Sequence, residues 1–323
     1  MAWRLRLAPE HTTFDFFKYQ KLTFGGSIVM TVAALLVWAV MGLNYGIDFK
    51  GGTTIRTEST QPVDIGAYRA ALGTLDLGDV SIIEVTDPTF RDDQHVAMIR
   101  IAPQEGSEAV TPEVILALEG ALNALDPAMV FPSVESVGPK VSGELILKAI
   151  LAMVGATAGI LVYIWLRFEW QFALGAVLAL IHDIFITIGV FALFQIKFDL
   201  TIIAALLTIL GYSINDTVVV FDRLRENLIK YKTTALREVM NISVNQTLGR
   251  TLMTSSTTLV ALTAMLIFGG DVIRGFTFAI AFGVILGTYS SVFVAKNIVL
   301  MIGLDRDKPK KDAPGSEFAN IDA

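Results

Sequence analysis

LTIIAALLTILGYSINDTVVVF, residues Leu200–Phe221, is apolar over nearly its whole length yet carries Thr208, Tyr212, Asn215 and Asp216. Crossing the roughly 30 Å of a bilayer's hydrocarbon takes about 20 consecutive apolar residues, and this run is long enough. Five further runs do the same, at Leu22–Leu43, Leu145–Leu166, Phe172–Phe194, Leu252–Phe268 and Phe276–Ile302. One such run could be the inside of a soluble domain. Six of them, in a chain of 323 residues that is 53% hydrophobic and 17% charged, carry more apolar surface than a single soluble core buries. The expectation is an α-helical polytopic membrane protein with six transmembrane helices. The first run exceeds the apolar stretch of a signal peptide and no small-residue cleavage site follows it, so it is read as a retained span.

Lysine and arginine clusters mark the cytoplasmic side. They stand before the first run (Arg4, Arg6, Lys18, Lys21), between the fourth and fifth (Arg223, Arg225, Lys230, Lys232, Arg237) and after the last (Arg306, Lys308, Lys310, Lys311). Residues 1–21 are then a cytoplasmic segment, 22–43 the first span, 44–140 an external domain and 141–302 a five-helix bundle, with both termini inside. Residues 303–323, polar and without periodicity, are expected to be disordered. The net charge of −6 gathers in the external segment, and nucleic-acid binding is excluded on that ground. No cysteine occurs, which removes disulfides and thiolate metal sites.

Within 44–140, extended stretches at Gly51–Glu58, Val80–Val85, Val96–Ile101 and Val130–Val137 alternate with helical periods at Asp64–Leu75 and Thr111–Leu125. The order βαββαβ is that of an α+β, ferredoxin-like extracytoplasmic domain. Between the fourth and fifth runs, Leu236, Val239, Met240, Val244 and Leu248 share one helical face, the pattern of an amphipathic helix near 233–248 on the inner membrane surface.

Small residues recur every four positions at Gly155 and Gly159, and at Gly283, Gly287, Ser291 and Ala295. They allow helices to approach closely, within the chain or against a partner. Ionisable residues inside spans are costly and mark ion paths or paired sites. The candidates are His182 and Asp183 in the third span, Asp216 in the fourth, and Arg250 at the start of the fifth. Thr208, Tyr212, Asn215 and Asp216 make one polar stripe, and Arg250, Thr254, Thr257 and Thr258 another. An aspartate set between burial and a guanidinium changes protonation with small rearrangements. The stripes therefore read as a proton relay, or as a static ion pair that fixes packing. His182 and Asp183 are open to either a hydrogen-bonding or a proton role. No HExxH, GxSxG, P-loop or GxGxxG motif occurs, so no enzymatic activity, metal or cofactor is expected. Any work done would draw on an ion gradient.

Phe14-Asp15-Phe16 with Lys18, then Gly46-Ile47-Asp48-Phe49 with Gly51-Gly52, resemble the amino-terminal signature of the SecF family. Val137-Gly138-Pro139, His182-Asp183, Gly211–Thr217, Arg250-Thr251 and Thr254-Ser255 extend the resemblance over nearly the whole chain. It implies an auxiliary subunit of the bacterial Sec export machinery in the inner membrane, shaped like half of an RND-type transporter. Its implied partners are SecD, the SecYEG channel, YajC and the translocating preprotein. It further implies that Asp216 binds the proton, that Arg250 is its switching partner and that Thr254 is a nearby pathway hydroxyl. The chain holds one six-span unit, so the SecD half must come from elsewhere. Gly51-Gly52 are read as backbone-shape residues, because no GK follows to cradle a phosphate. Competing functions are a small-molecule exporter half, disfavoured by the small external domain, and a non-transporting scaffold. An intramembrane enzyme lacks a nucleophile motif.

Overall fold

The computed structural model describes residues 12–304 except 76, 87–89, 92 and 104–109. Arg4, Arg6 and the 303–323 tail from residue 305 onward lie outside the described residues. The chain runs α1 (Gln20–Met41), β1 (Asn44–Tyr45), α2 (Ile47–Lys50), β2 (Gly52–Ser59), α3 (Ile65–Leu72), β3 (Val80–Val85), β4 (His95–Ile101), α4 (Pro112–Asn123) and β5 (Val130–Val137). It continues as α5 (Pro139–Arg167), α6 (Trp170–Leu193), β6 (Lys197–Phe198), α7 (Leu200–Lys230), α8 (Leu236–Phe268) and α9 (Gly270–Ser290). A π-helical turn (Ser291–Ala295) and α10 (Lys296–Ile302) complete the last span.

Six helical stretches are long and apolar enough to cross a membrane: Gln20–Met41, Lys140–Arg167, Trp170–Leu193, Leu200–Lys230, Leu236–Phe268 and Ile273–Ile302. The third and sixth are mostly buried within the protein, whereas the first two have almost no fully buried residue. A soluble helix so apolar and so exposed would aggregate; in lipid it is at home. Close approach is set by small residues. A Cβ on Gly287 would lie 2.9 Å from Ser213 Cβ, and one on Gly189 would lie 2.3 Å from Ala34 Cβ. The α9 glycines thus serve packing within the chain. Gly155 and Gly159 do not: a Cβ at either would meet nothing within 4 Å.

Residues 236–248 do not form a separate helix. They are the first turns of α8, which runs unbroken through Gly249 to Phe268 because no proline or turn sequence interrupts it. The apolar face expected to lie on lipid is buried against protein instead, with Val239, Met240 and Val244 packed with Val220, Phe221 and Leu224 of α7. At about 1.5 Å per residue, helices of 31 and 33 residues outreach the hydrocarbon layer. These extensions of α7 and α8 pack on each other.

Strands β2 to β5 form one four-stranded sheet in the order β3-β4-β2-β5, every neighbouring pair antiparallel. Ile55, Ile99 and Ile101 from the sheet, Tyr68 and Leu72 from α3, and Leu118 and Leu122 from α4 make its core, so both helices cover one face. Asp64 caps α3 by accepting from Ala67 N at 3.0 Å. Gly51 and Gly52 have φ of +73° and +105°, and a Cβ on Gly52 would stand 2.4 Å from Ile101 O. Both are backbone-shape residues: they turn the chain into β2, where only glycine fits.

Candidate functional site

α6, α7, α8 and α9 bring the intramembrane polar residues together, with the Arg250 charge acting on Asp216 at longer range than an ion pair. Asp216 is 3% exposed, and its Oδ2 is buried without a hydrogen-bond partner. Among the described residues no ion pair joins it to Arg250. Arg250 is exposed and lines a 420 Å³ cavity with Tyr163, Arg167, Asp222, Glu226 and Gln246, in which Arg167 Nη2 lies 3.4 Å from Asp222 Oδ1. The carboxylate therefore waits inside the bundle while the guanidinium faces an opening on its surface. A buried carboxylate oxygen with no donor is costly unless it is protonated or a donor reaches it. Thr251, next to Arg250, has a second buried and unpartnered oxygen, Oγ1.

The threonine stripe is less free than its spacing implied. Thr254 Oγ1 donates to Arg250 O at 3.2 Å and Thr251 O at 3.0 Å, and Thr257 and Thr258 bond their own helix in the same way. Tyr212 OH reaches Thr258 Oγ1 at 3.5 Å, linking α7 to α8. Asn215 points away from Asp216: it is exposed, as are Thr208 and Gly211 on the same face of α7, and a Cβ on Gly211 would meet open space.

Asp183 is wholly buried and is the hub of three helices. Its Oδ2 accepts from Ser213 Oγ of α7 at 2.8 Å and from Ser290 Oγ of α9 at 2.6 Å, while His182 Nδ1 lies 2.9 Å from Oδ1. His182 Nε2 is buried and unpartnered. Ser213 lies three residues before Asp216, almost one turn away, so the hub also fixes the helix that carries Asp216. Ser290, and the role of the motif residue Ser213 as a partner of Asp183, escaped the sequence reading, since a serine in an apolar run is unremarkable until its partner helix is known. Lys296 escaped it too. This lysine is the single charge of the Phe276–Ile302 run and is 1% exposed, and its position inside a span was a sufficient clue.

With this arrangement in view, residues 117–305 match the family described as protein export membrane protein SecD/SecF, C-terminal, and residues 36–63 match the SecD/SecF GG motif. The protein translocase subunit SecF of Cereibacter sphaeroides is 68% identical over 100% of both chains. The chain belongs to the SecF family. SecF of Rhodobacter capsulatus is 64% identical over 99% of this chain and 98% of its own, and SecF of Calditerrivibrio nitroreducens 40% over 94% and 98%. Among solved structures, SecDF from Thermus thermophilus, a translocon-associated membrane protein, superposes with a TM-score of 0.81 at 34% identity over 92% of this chain. SecDF in a super-membrane-facing form gives 0.66, also at 34% identity, over 93% of this chain. The chain spans 39% of each SecDF chain. The GG-motif match covers Gly51 and Gly52, the two glycines of positive φ.

Proposed function

We propose that this SecF subunit works with a SecD partner to convert the proton gradient into assistance for protein export, after the ATP-driven step and beside the SecYEG channel. YajC and the translocating preprotein complete the expected partners. Both termini face the cytoplasm in this reading, and the α+β domain, ferredoxin-like in its strand order, stands on the far side. Asp216 carries the proposal: a buried carboxylate with an unpartnered oxygen, on a helix adjacent to one bearing the outward-facing Arg250, is poised to take up a proton or to receive the guanidinium. Thr254 stands one turn from Arg250 as the pathway hydroxyl. The exposed Thr208, Gly211 and Asn215 face of α7, and the open Gly155 and Gly159 face of α5, support a helical partner seated there. Two SecDF forms equal in identity but unequal in superposition support a movable arrangement of the parts.

The test is preprotein export into inverted membrane vesicles with and without a proton gradient, comparing Asp216→Asn with the unaltered chain at matched complex levels. Gradient-dependent export is lost in the variant while the complex persists. Unchanged gradient dependence would leave Asp216 a packing residue. Loss of the complex itself would favour the scaffold.

A further inference from the structure

Residues 12–19 precede α1 in the chain, yet they bind to α8 and α10. Asn241 and Asn245, one turn apart on α8, take hold of the segment's backbone. Asn245 Oδ1 accepts from Phe14 N and Asn241 Oδ1 from Phe16 N, both at 2.9 Å. The two Nδ2 groups donate to Phe14 O, at 2.9 Å from Asn241 and 2.8 Å from Asn245. Thr12 Oγ1 adds a bond to Asn245 O at 3.1 Å. These bonds recognise a backbone and are indifferent to its side chains.

The side chains are read elsewhere. Lys296 Nζ is buried with no hydrogen-bond partner, and no acid lies within ion-pair reach of it among the described residues. It stands 4.1 Å from the ring centroid of Phe17, 5.0 Å from that of Phe16 and 5.5 Å from that of Phe293. Arg237 of α8 lies 5.3 Å from the Phe17 ring, which is itself 2% exposed. Asp15, the acid of the segment, turns back on its own chain, its Oδ1 accepting from Phe17 N at 2.9 Å. The π-helical turn ends directly before Lys296. Such a turn holds an extra residue and offsets the register of the helix beyond it, a device found often at functional positions.

We propose that Lys296 is the receptor for Phe16 and Phe17, forming a charge-dependent latch that holds residues 12–19 as a strap across the first turns of α8. A buried ammonium with no acid in ion-pair contact, Asp15 acting on it only at longer range, is retained where something replaces water, and here the negative faces of three rings do so. The strap thereby joins the chain's beginning, α8 and α10 at one end of the bundle. Arg250 lies five residues beyond Asn245 on the same unbroken helix, so the strap steadies the helix that carries it. The inference stands on this geometry and does not depend on the proton reading.

Hydrogen exchange of the full chain in lipid nanodiscs tests it, read at the amides of Phe14 and Phe16 with those of α10 as the internal reference. Lys296→Met keeps the bulk and removes the charge; exchange at both strap amides rises about tenfold or more, while Lys296→Arg preserves protection. A latch held by packing alone would do the opposite, because methionine in an apolar cage leaves the strap as tight or tighter. Unchanged or slower exchange in Lys296→Met, with α10 protected, overturns the proposal. Should that variant open α10 itself, Phe17→Leu decides: it leaves the lysine in place and takes away its nearest ring. Release of the strap supports the latch, and retained protection refutes it.

Discussion

Asp183 has three side-chain hydrogen-bond partners, two of them serines that donate to it, whereas Asp216 has an oxygen with none, and that contrast assigns the two carboxylates different work. Hydrogen bonds between membrane helices average about 0.6 kcal/mol and reach about 1.7. Asp183→Leu, which strips the hub of all its bonds, is therefore expected to cost about 2 kcal/mol in detergent unfolding, and Ser213→Ala or Ser290→Ala about 0.6 each. Equal losses from a single serine and from the aspartate would show that the hub is not the unit it resembles. Asp216→Asn should leave the same unfolding midpoint nearly unchanged, since no bond to Oδ2 is lost. Asp216, His182, Asp183 and Arg250 were legible in the sequence because an ionisable residue in an apolar run is conspicuous. The serines opposite Asp183 were not, because helical spacing says which residues share a face and not which faces meet. Asp216 and Arg250 stand on neighbouring helices, near enough for the guanidinium's charge to act on the carboxylate though without a direct ion pair.

Strands and helices of the α+β domain were readable nearly to the residue, because period-two and period-3.6 patterns alternate there between clear turns. The amphipathic stretch at 236–248 was readable as helix but not as a continuation of α8, because an apolar face looks the same whether lipid or another helix covers it. At the domain's rim, Asp126 Oδ2 accepts from Ser59 Oγ and Oδ1 from Ala128 N at 2.9 Å. The Ser59 bond first, and the Ala128 amide second, hold this carboxyl below the ordinary aspartate range. A group whose folded pKa is depressed contributes fully above its unfolded value, about 3.9 for aspartate, and the contribution is lost as pH falls through the folded value. The end of β2 and the turn into β5 should accordingly loosen on acidification, seen as faster hydrogen exchange near Ser59 below about pH 4. Ser59→Ala should weaken that dependence, and an equally steep response in the variant would assign it to other carboxyls. Gly52→Ala belongs to the same element. Its φ of +105° and the Ile101 carbonyl in its way predict a loss of at least about 1–3 kcal/mol in domain stability, measurable as a lowered denaturant midpoint.

The domain hangs from the bundle by two neighbouring strands: α1 leads into β2, and β5 runs through Gly138 into α5, with Gly52 paired to Val137 where the two connections meet. Around that point the junction is tied to the α6–α7 loop. Strand β1 pairs in parallel with β6, Gly46 N donates to Phe198 O at 2.8 Å, and Asp48 Oδ2 accepts from Leu200 N at 2.9 Å, sharing with Asp199 the capping of α7. Asp48 also borders a 680 Å³ cleft whose domain wall includes Thr54 and Glu135 and whose bundle wall includes Ile202 and Phe276. A domain beside an open cleft can tilt, and one of its links to α7 is a carboxylate on the first amide of that helix. Removing it orphans the Leu200 amide and frees the short α2 turn, while β1–β6 pairing still tethers the chain. Asp48→Ala should therefore leave the domain and bundle each folded but loosen the angle between them. Because the chain has no cysteine, spin labels at Ala117→Cys on α4 and Phe194→Cys beyond α6 can report that angle alone. The distance distribution should be narrow with Asp48 and broad without it, and gradient-dependent export should fall in the same variant if tilting must be geared to α7. A distribution left narrow would place the rigidity in the β1–β6 pairing. A broad distribution with export intact would separate the domain's movement from the helix that carries Asp216.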